Sequence, residues 1–211
     1  MDIARVKEYL GMEWTAVQER IAGSLESDIA LLDQTNKSIL SHSGKQLRPI
    51  LALLSARACS ADGRASEATV RYAAAAELLH NATLLHDDVA DDSDQRRGVP
   101  TIRSIMGPTV SVLLGDYWLV KAMELILGDH DADSQVIRIF SKTLSDLAEG
   151  ELLQLQKAQS GDTVEDDYLR IIYSKTASLF EASCVSAALS VGASDQTVAA
   201  MRAYAVALGL A

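Results

Sequence analysis

Apolar residues recur at helical spacing along nearly the whole of this 211-residue chain, and the few glycines and prolines fall mainly between such segments. Strand signals are almost absent. The periodicity predicts helices over roughly 2–9, 13–33, 45–60, 66–90, 101–106, 109–128, 133–158, 165–190 and 195–211. Ser43-Gly44 is a break, as are the segments 61–63, 97–100, 128–131 and 160–163. No linker, repeat or low-complexity tract divides the chain. The expectation is an all-α fold, a single domain over 1–211 built as a bundle of about eight or more helices.

Composition agrees with the pattern. Aromatics are only 5% against 48% apolar residues, with three prolines, which excludes a β-sandwich, collagen or a disordered chain. Nineteen Lys and Arg against 29 Asp and Glu give a net charge of -10, so no nucleic-acid partner is expected, and an anionic ligand needs a local basic cluster or a metal. The longest uncharged run, Ala182 to Ser194, is thirteen residues, too short for a transmembrane segment. The N-terminus lacks the apolar core of a signal peptide. Cys59 and Cys184 form no CxxC pattern and read as buried thiols of a reducing, cytoplasmic compartment.

The informative segment runs from His80 to Gly98. If the helix from Ser66 continues through it, Asp87 and Asp91 lie i,i+4 on one face with Asp88 beside them, about 6 Å apart along the axis. Like charges so placed repel, and at a helix C-terminus they also oppose the macrodipole. A hard cation such as Mg²⁺ answers both, since it binds through one or two carboxylates, water and substrate phosphate oxygens. A solvated acidic helix end answers the spacing equally well. Calcium loops fit neither at Asp92, where Arg103 falls on the closing position, nor at Asp129, where Phe140 does.

Two arginines, Arg96 and Arg97, follow the carboxylates, and a guanidinium fork matches phosphate oxygens. Upstream, Lys45 and Arg48 stand i,i+3 at the start of a helix, where free backbone N–H groups also favour anions. His80 sits on an apolar helix that also carries Glu77, either as a satisfied core residue or as part of a site. An acidic metal cluster beside one basic cluster and a second basic cluster apart from it would serve two diphosphate groups.

These residues resemble the trans-type isoprenyl diphosphate synthases. Gly44-Lys45-Gln46-Leu47-Arg48-Pro49 is similar to the family's G-K-x-x-R-P segment, and Asp87-Asp88-Val89-Ala90-Asp91 with Arg96-Arg97-Gly98 to its first aspartate-rich motif. Gly115-Asp116, Glu149-Gly150-Glu151 with Gln154, and Tyr173-Ser174-Lys175-Thr176-Ala177 match in order, the last most like the octaprenyl-type, long-chain branch. The resemblance implies the isoprenoid-synthase fold, helices around a central apolar tunnel. It implies that Asp87 and Asp91 ligate Mg²⁺ on an allylic diphosphate such as farnesyl diphosphate, supported by Asp88. Arg96 and Lys175 would hold that diphosphate and Thr176 would flank the reacting carbon. Isopentenyl diphosphate would lie against Lys45, Arg48, His80 and Arg97, and the enzyme would be a homodimer.

The chemistry is consistent with these roles. Ionisation of an allylic diphosphate places negative charge on the leaving group, which Mg²⁺ and cationic side chains stabilise. The isopentenyl double bond then attacks the allyl cation, and a proton leaves. In the family, aromatic residues four and five positions before the first aspartate close the tunnel. Here these are Thr83 and Ala82, so a product beyond C20 is expected, suited to a quinone side chain; Ala82 could instead be only a close helix contact.

The family's second aspartate-rich motif follows a segment like Leu208-Gly209-Leu210-Ala211, where this sequence stops. The stretch from Ala203 reads as a core helix cut short at the C-terminus. A piece of an active enzyme, a noncatalytic subunit and a diverged protein all fit, and low activity is expected of the chain as written. A terpene cyclase also uses an aspartate-rich Mg²⁺ site, although it has no use for the Lys45/Arg48 cluster. A binding or assembly module presenting an acidic helix to a partner is the non-enzymatic reading.

Overall fold

Ser66 starts the central helix of the bundle. Its Oγ accepts from the Thr69 backbone N–H, and the Thr69 hydroxyl accepts from the Ser66 N–H in return, satisfying two donors that a helix start leaves open. The computed structural model describes residues 2–128 and 133–211. These form α1 (Ile3–Leu10), α2 (Met12–Ser24), α3 (Ala30–Ser41), α4 (Leu47–Cys59), α5 (Glu67–Ala90), α6 (Ile102–Met106), α7 (Pro108–Leu127), α8 (Ser134–Ser160), α9 (Glu165–Ile172), α10 (Ser178–Ser190) and α11 (Asp195–Leu210). Between α5 and α6 lies a small antiparallel hairpin, β1 (Gln95–Arg96) with β2 (Val99–Pro100).

The expected all-α bundle is therefore what the chain forms, with α5 packed against α2, α4, α7 and α10. Four of its alanines, Ala73–Ala76, are fully buried. Small side chains let neighbouring helices approach on several sides of α5 at once, so this helix is buried all round instead of along one stripe. Leu53, Leu78, Leu79, Trp118, Phe140 and Leu179 fill the space between the helices. The Trp118 indole N–H donates to Asn36 Oδ1 at 2.8 Å, and the Asn36 amide donates to the Leu25 carbonyl at 2.8 Å. Both polar groups are thus satisfied inside the core, where an orphan would cost about 1–3 kcal/mol.

The same contact explains one departure from the expected boundaries. A single helix over 13–33 is replaced by α2 and α3, with 25–29 between them. The Ser24 hydroxyl bonds back to the Ile21 carbonyl, the Ser27 hydroxyl accepts from the Ile29 N–H, and the Leu25 carbonyl is taken by Asn36. Serine side chains here compete for the backbone groups a continuous helix would use. The helix expected over 165–190 is also interrupted, since Tyr173–Ala177 winds as a π-helix between α9 and α10.

Cys59 and Cys184 are free thiols, Cys184 buried and Cys59 only half-buried. No helix among the described residues is long and apolar enough to cross a membrane. Of the break expected at 128–131, Gly128 ends α7; Asp129–Asp131 lie outside the described residues, and the calcium loop tested from Asp129 lies only partly within them, its later positions belonging to α8.

Candidate functional site

The acidic run is sorted into separate sets by its backbone. Asp87 and Asp88 lie in the last turn of α5, and Asp91 caps it, its N–H donating to the Asp87 carbonyl at 2.8 Å, which confirms the i,i+4 relation. Asp92 then takes a left-handed conformation, φ 54°, and turns the chain out of the helix. Arg103 of α6 binds Asp94 Oδ1 at 2.7 Å, the Asp92 carbonyl at 3.0 Å and the Asp92 carboxylate. Asp88 is 5% exposed, and its Oδ1 receives Arg96 Nε and Nη2, both at 2.9 Å. Half-buried Asp87 and exposed Asp91 are left for other work.

Asp87 faces a second wall. Its carboxyl is pushed up to about 6 by burial first, then by Glu151 and Asp91, against the opposing pull of Lys175 and Arg96. Lys175 lies on the π-helical stretch, a local widening that re-aims side chains and recurs at functional sites. Its ammonium bonds Glu151 Oε1 at 2.5 Å and Gln154 Oε1 at 2.9 Å on α8. Gly150 allows that approach, because a Cβ there would stand 2.5 Å from Ser174 Cβ. Thr176 is half-buried beside Lys175. Glu151 and Gln154, whose i,i+3 spacing already puts them on one helix face, belong to this wall; the sequence matched them to a family motif but gave them no role in the site.

On the other side of the α5 C-terminus lies a cavity of about 820 Å³ whose lining includes Lys45, Arg48, Glu77, His80, Arg96 and Arg97. The hairpin presents the two arginines. Gln95 pairs with Pro100 and Arg96 with Val99, so Arg97 and Gly98 form a two-residue turn with φ 54° and 79°, the sign pattern of the hairpin turn that matches strand twist. Arg97 reaches back over Gly44, where a Cβ would collide with its Nη1. Gln46, also left-handed, precedes α4 and sets Arg48 in the first turn, its guanidinium 5.0 Å from the Phe180 ring centre. Burial and the charges of Arg48, Arg97 and Arg96 push His80 down to about 3, so its imidazole is neutral at neutral pH.

Lys45, Arg48, His80, Arg96 and Arg97 thus converge on one cavity, where the sequence had suggested two separate basic clusters, while Lys175 stands outside it. Ala82, by contrast, is buried in the core at 1% exposure, and Thr83 turns its hydroxyl to the His80 carbonyl at 2.8 Å; neither lines that cavity. Gly115 and Asp116 act on α5 from α7. The glycine leaves room for the His86 ring, and Asp116 Oδ1 meets His86 Nε2 at 3.2 Å.

Among the described residues, no three His, Cys, Asp or Glu side chains gather closely enough to enclose a metal ion. Mg²⁺ does not need such a cage, because one or two carboxylates suffice when water and phosphate oxygens complete its shell. Asp87 and Asp91 fit that mode. They are hard oxygen donors, and Asp91 and Glu151 both raise the proton affinity of Asp87, a repulsion a cation would relieve.

A helical bundle with carboxylates at the end of its central helix, a facing lysine on a π-helical turn and a separate basic cavity defines an isoprenoid-synthase-type protein. The chain belongs to the polyprenyl synthetase family, whose pattern matches residues 29–211. It is 37% identical to the octaprenyl diphosphate synthase of Escherichia coli (strain K12) over all 211 residues, which is 64% of that protein. It is 38% identical to the all-trans-nonaprenyl-diphosphate synthase (geranyl-diphosphate specific) of Rhodobacter capsulatus over 184 residues, 87% of this chain and 55% of the relative. The crystal structure of a decaprenyl diphosphate synthase from Rhodobacter capsulatus superposes with a TM-score of 0.92 at 37% identity, covering 99% of this chain and 63% of that one. The chain therefore spans somewhat less than two thirds of the length of these proteins.

Proposed function

We propose that this chain carries both diphosphate sites of a Mg²⁺-dependent trans-prenyltransferase, which condenses isopentenyl diphosphate head-to-tail with an allylic diphosphate such as farnesyl diphosphate. The observation that carries this reading is the pair of sites flanking the end of α5: Asp87, Asp91 and Lys175 on one side, and Lys45, Arg48, His80 and Arg97 on the other. A single-substrate cyclase would leave the second set without a task.

In this reading Asp87 and Asp91 would hold Mg²⁺, which when bound would supply positive charge for the leaving diphosphate. Lys175 exchanges its bonds to Glu151 and Gln154 for the allylic diphosphate, and Thr176 flanks the reacting carbon. Arg96 bridges the sites, fixed to buried Asp88 while its remaining donors face phosphate. In the cavity Lys45, Arg48 and Arg97 bind the isopentenyl diphosphate, and neutral His80 offers a hydrogen bond without adding charge. The double bond of this substrate is thereby held beside the carbon that ionises, which turns a bimolecular encounter into an oriented one.

The product is read as longer than C20 and suited to isoprenoid quinone side chains. Small residues at Ala82 and Thr83 support that length, as do the names of the related octaprenyl and nonaprenyl synthases. The protein is read as one domain over 1–211, supported by a continuous core, and as a homodimer, supported by exposed Ile105, Leu113 and Val120 on α6 and α7. A cytoplasmic setting suits its two free thiols.

The test is incubation with farnesyl diphosphate, labelled isopentenyl diphosphate and Mg²⁺, with products resolved by length and Mg²⁺-dependent binding of farnesyl diphosphate measured alongside. Mg²⁺-dependent binding of farnesyl diphosphate with only a low level of label in prenyl products longer than C20, both lost in Asp87→Ala, is the expected result. Absence of both label incorporation and Mg²⁺-dependent binding would overturn the reading.

A further inference from the structure

Among the residues lining the basic cavity are four cations, Lys45, Arg48, Arg96 and Arg97, and two acids, Asp88 and Glu77. Asp88 is committed to Arg96. Among the described residues, Glu77 is committed to no cation by a hydrogen bond. It is 5% exposed, its Oε1 takes only the Asn81 amide at 3.4 Å, and its Oε2 has no hydrogen-bond partner. Arg48 Nε, buried in the same cavity, has none either. A half-buried guanidinium and a buried carboxylate are each costly alone, so the two are placed where each offsets the other's charge without closing on it.

Arg48 and Arg97 repel one another, as the lowering of Arg48 to about 10 by burial and by Arg97 reflects, while Glu77 acts in the opposite sense. Burial raises the Glu77 carboxyl above the usual carboxylate range, and Arg48, the Asn81 amide, Lys7 of α1 and Arg97 pull it back down. When ionised, Glu77 therefore attracts cations from α1, α4 and the hairpin. Once a diphosphate occupies the cavity, the same charge opposes the ligand.

We propose that Glu77 is a positioning residue of the diphosphate cavity, a resident counter-charge that keeps Arg48 and Arg97 together while the cavity is empty and weakens the anion it makes room for. The inference rests on the reading of this cavity as a diphosphate site. It places in the second-substrate pocket a group that favours release, so that affinity is held below what the cations alone would give.

The probe is inorganic pyrophosphate without Mg²⁺, so that only the basic cavity and not the carboxylate side is sampled, titrated calorimetrically into the full chain. Glu77→Gln keeps the shape and removes the charge. The variant is expected to bind pyrophosphate about five- to tenfold more tightly, the effect of one nearby charge under partial screening. It is also expected to melt a few degrees lower when empty and to gain more from pyrophosphate than the wild type does. Glu77→Asp, which keeps the charge, should stay near wild-type affinity. A folded Glu77→Gln that binds no more tightly would overturn the inference, because a purely structural role predicts equal or weaker binding. If Glu77→Gln does not fold, the Arg48→Gln/Glu77→Gln double variant should, since it removes both unbalanced charges; its failure would make Glu77 a packing residue. No pyrophosphate binding by the wild type would instead overturn the reading of the cavity, and this inference with it.

Discussion

Arg97 Nη1 occupies the space in which a side chain at Gly44 would begin. The glycine before Lys45 is therefore a clearance for a guanidinium arriving from 53 positions later in the chain, across the mouth of the basic cavity. Gly44→Ala should push the flexible tip of Arg97 aside with little effect on stability, because no core atom must move. Metal-free pyrophosphate affinity is expected to fall about tenfold, the scale of one displaced charge-assisted contact. Calorimetry with an unchanged melting temperature checks it.

The acidic run should divide sharply in function. Asp87→Ala and Asp91→Ala are expected to abolish Mg²⁺-dependent binding of farnesyl diphosphate. Asp94→Asn, which alters a carboxylate already held by Arg103, should leave that binding within about twofold, since an exposed pair is worth roughly 0–1 kcal/mol. Equal losses at all three positions would mean that the run acts only through its net charge.

Glycines at helix contacts predict opposite stability effects. Gly150→Ala drives a Cβ into Ser174 on the π-helical stretch and should destabilise by about 1–3 kcal/mol, loosening Lys175 as well. Gly23→Ala, in α2 with nothing within 4 Å, should stabilise by about 0.5–1 kcal/mol. Urea midpoints of the two variants measure both.

Acid stability should carry the signature of His80. Its folded value of about 3 lies below the usual 6.5, so its contribution is complete above pH 6.5 and is lost as pH falls, when the unfolded chain takes the proton first. Between pH 7 and pH 5 the loss attributable to it is about 2 kcal/mol. His80→Gln should be correspondingly less sensitive to acid, and an identical pH profile in wild type and variant would contradict the burial of a neutral imidazole.

Product length should respond to the helix face below Asp87. Ala82→Phe is expected to shorten the prenyl product, and because Ala82 is buried in the core it should also cost about 1–3 kcal/mol in stability. An unchanged product distribution in a folded variant would detach Ala82 from chain length.

Much of this was legible in the order of residues alone. Helical periodicity with few breakers dictates a helical bundle, and i,i+4 spacing puts Asp87 over Asp91 in any α-helix, which the backbone bond between them bears out. Periodicity could not show that α2 and α3 are separate, because Ser24 and Ser27 break the helix through their own hydroxyls while Asn36, eleven residues beyond Leu25, claims its carbonyl. The π-helical winding at Lys175 was likewise invisible, since residue types there suit either helix.

Local spacing, then, determined which residues share a helix face, and with it the carboxylate pair. Tertiary packing decided which charges remain available. Arg103 takes Asp92 and Asp94, Arg96 takes Asp88, and Glu151 reaches Asp87 from α8. It also set Glu77 as the counter-charge of a cavity whose cations come from separate parts of the chain. Electrostatic energy depends on distance and burial, and neither follows from separation along a sequence.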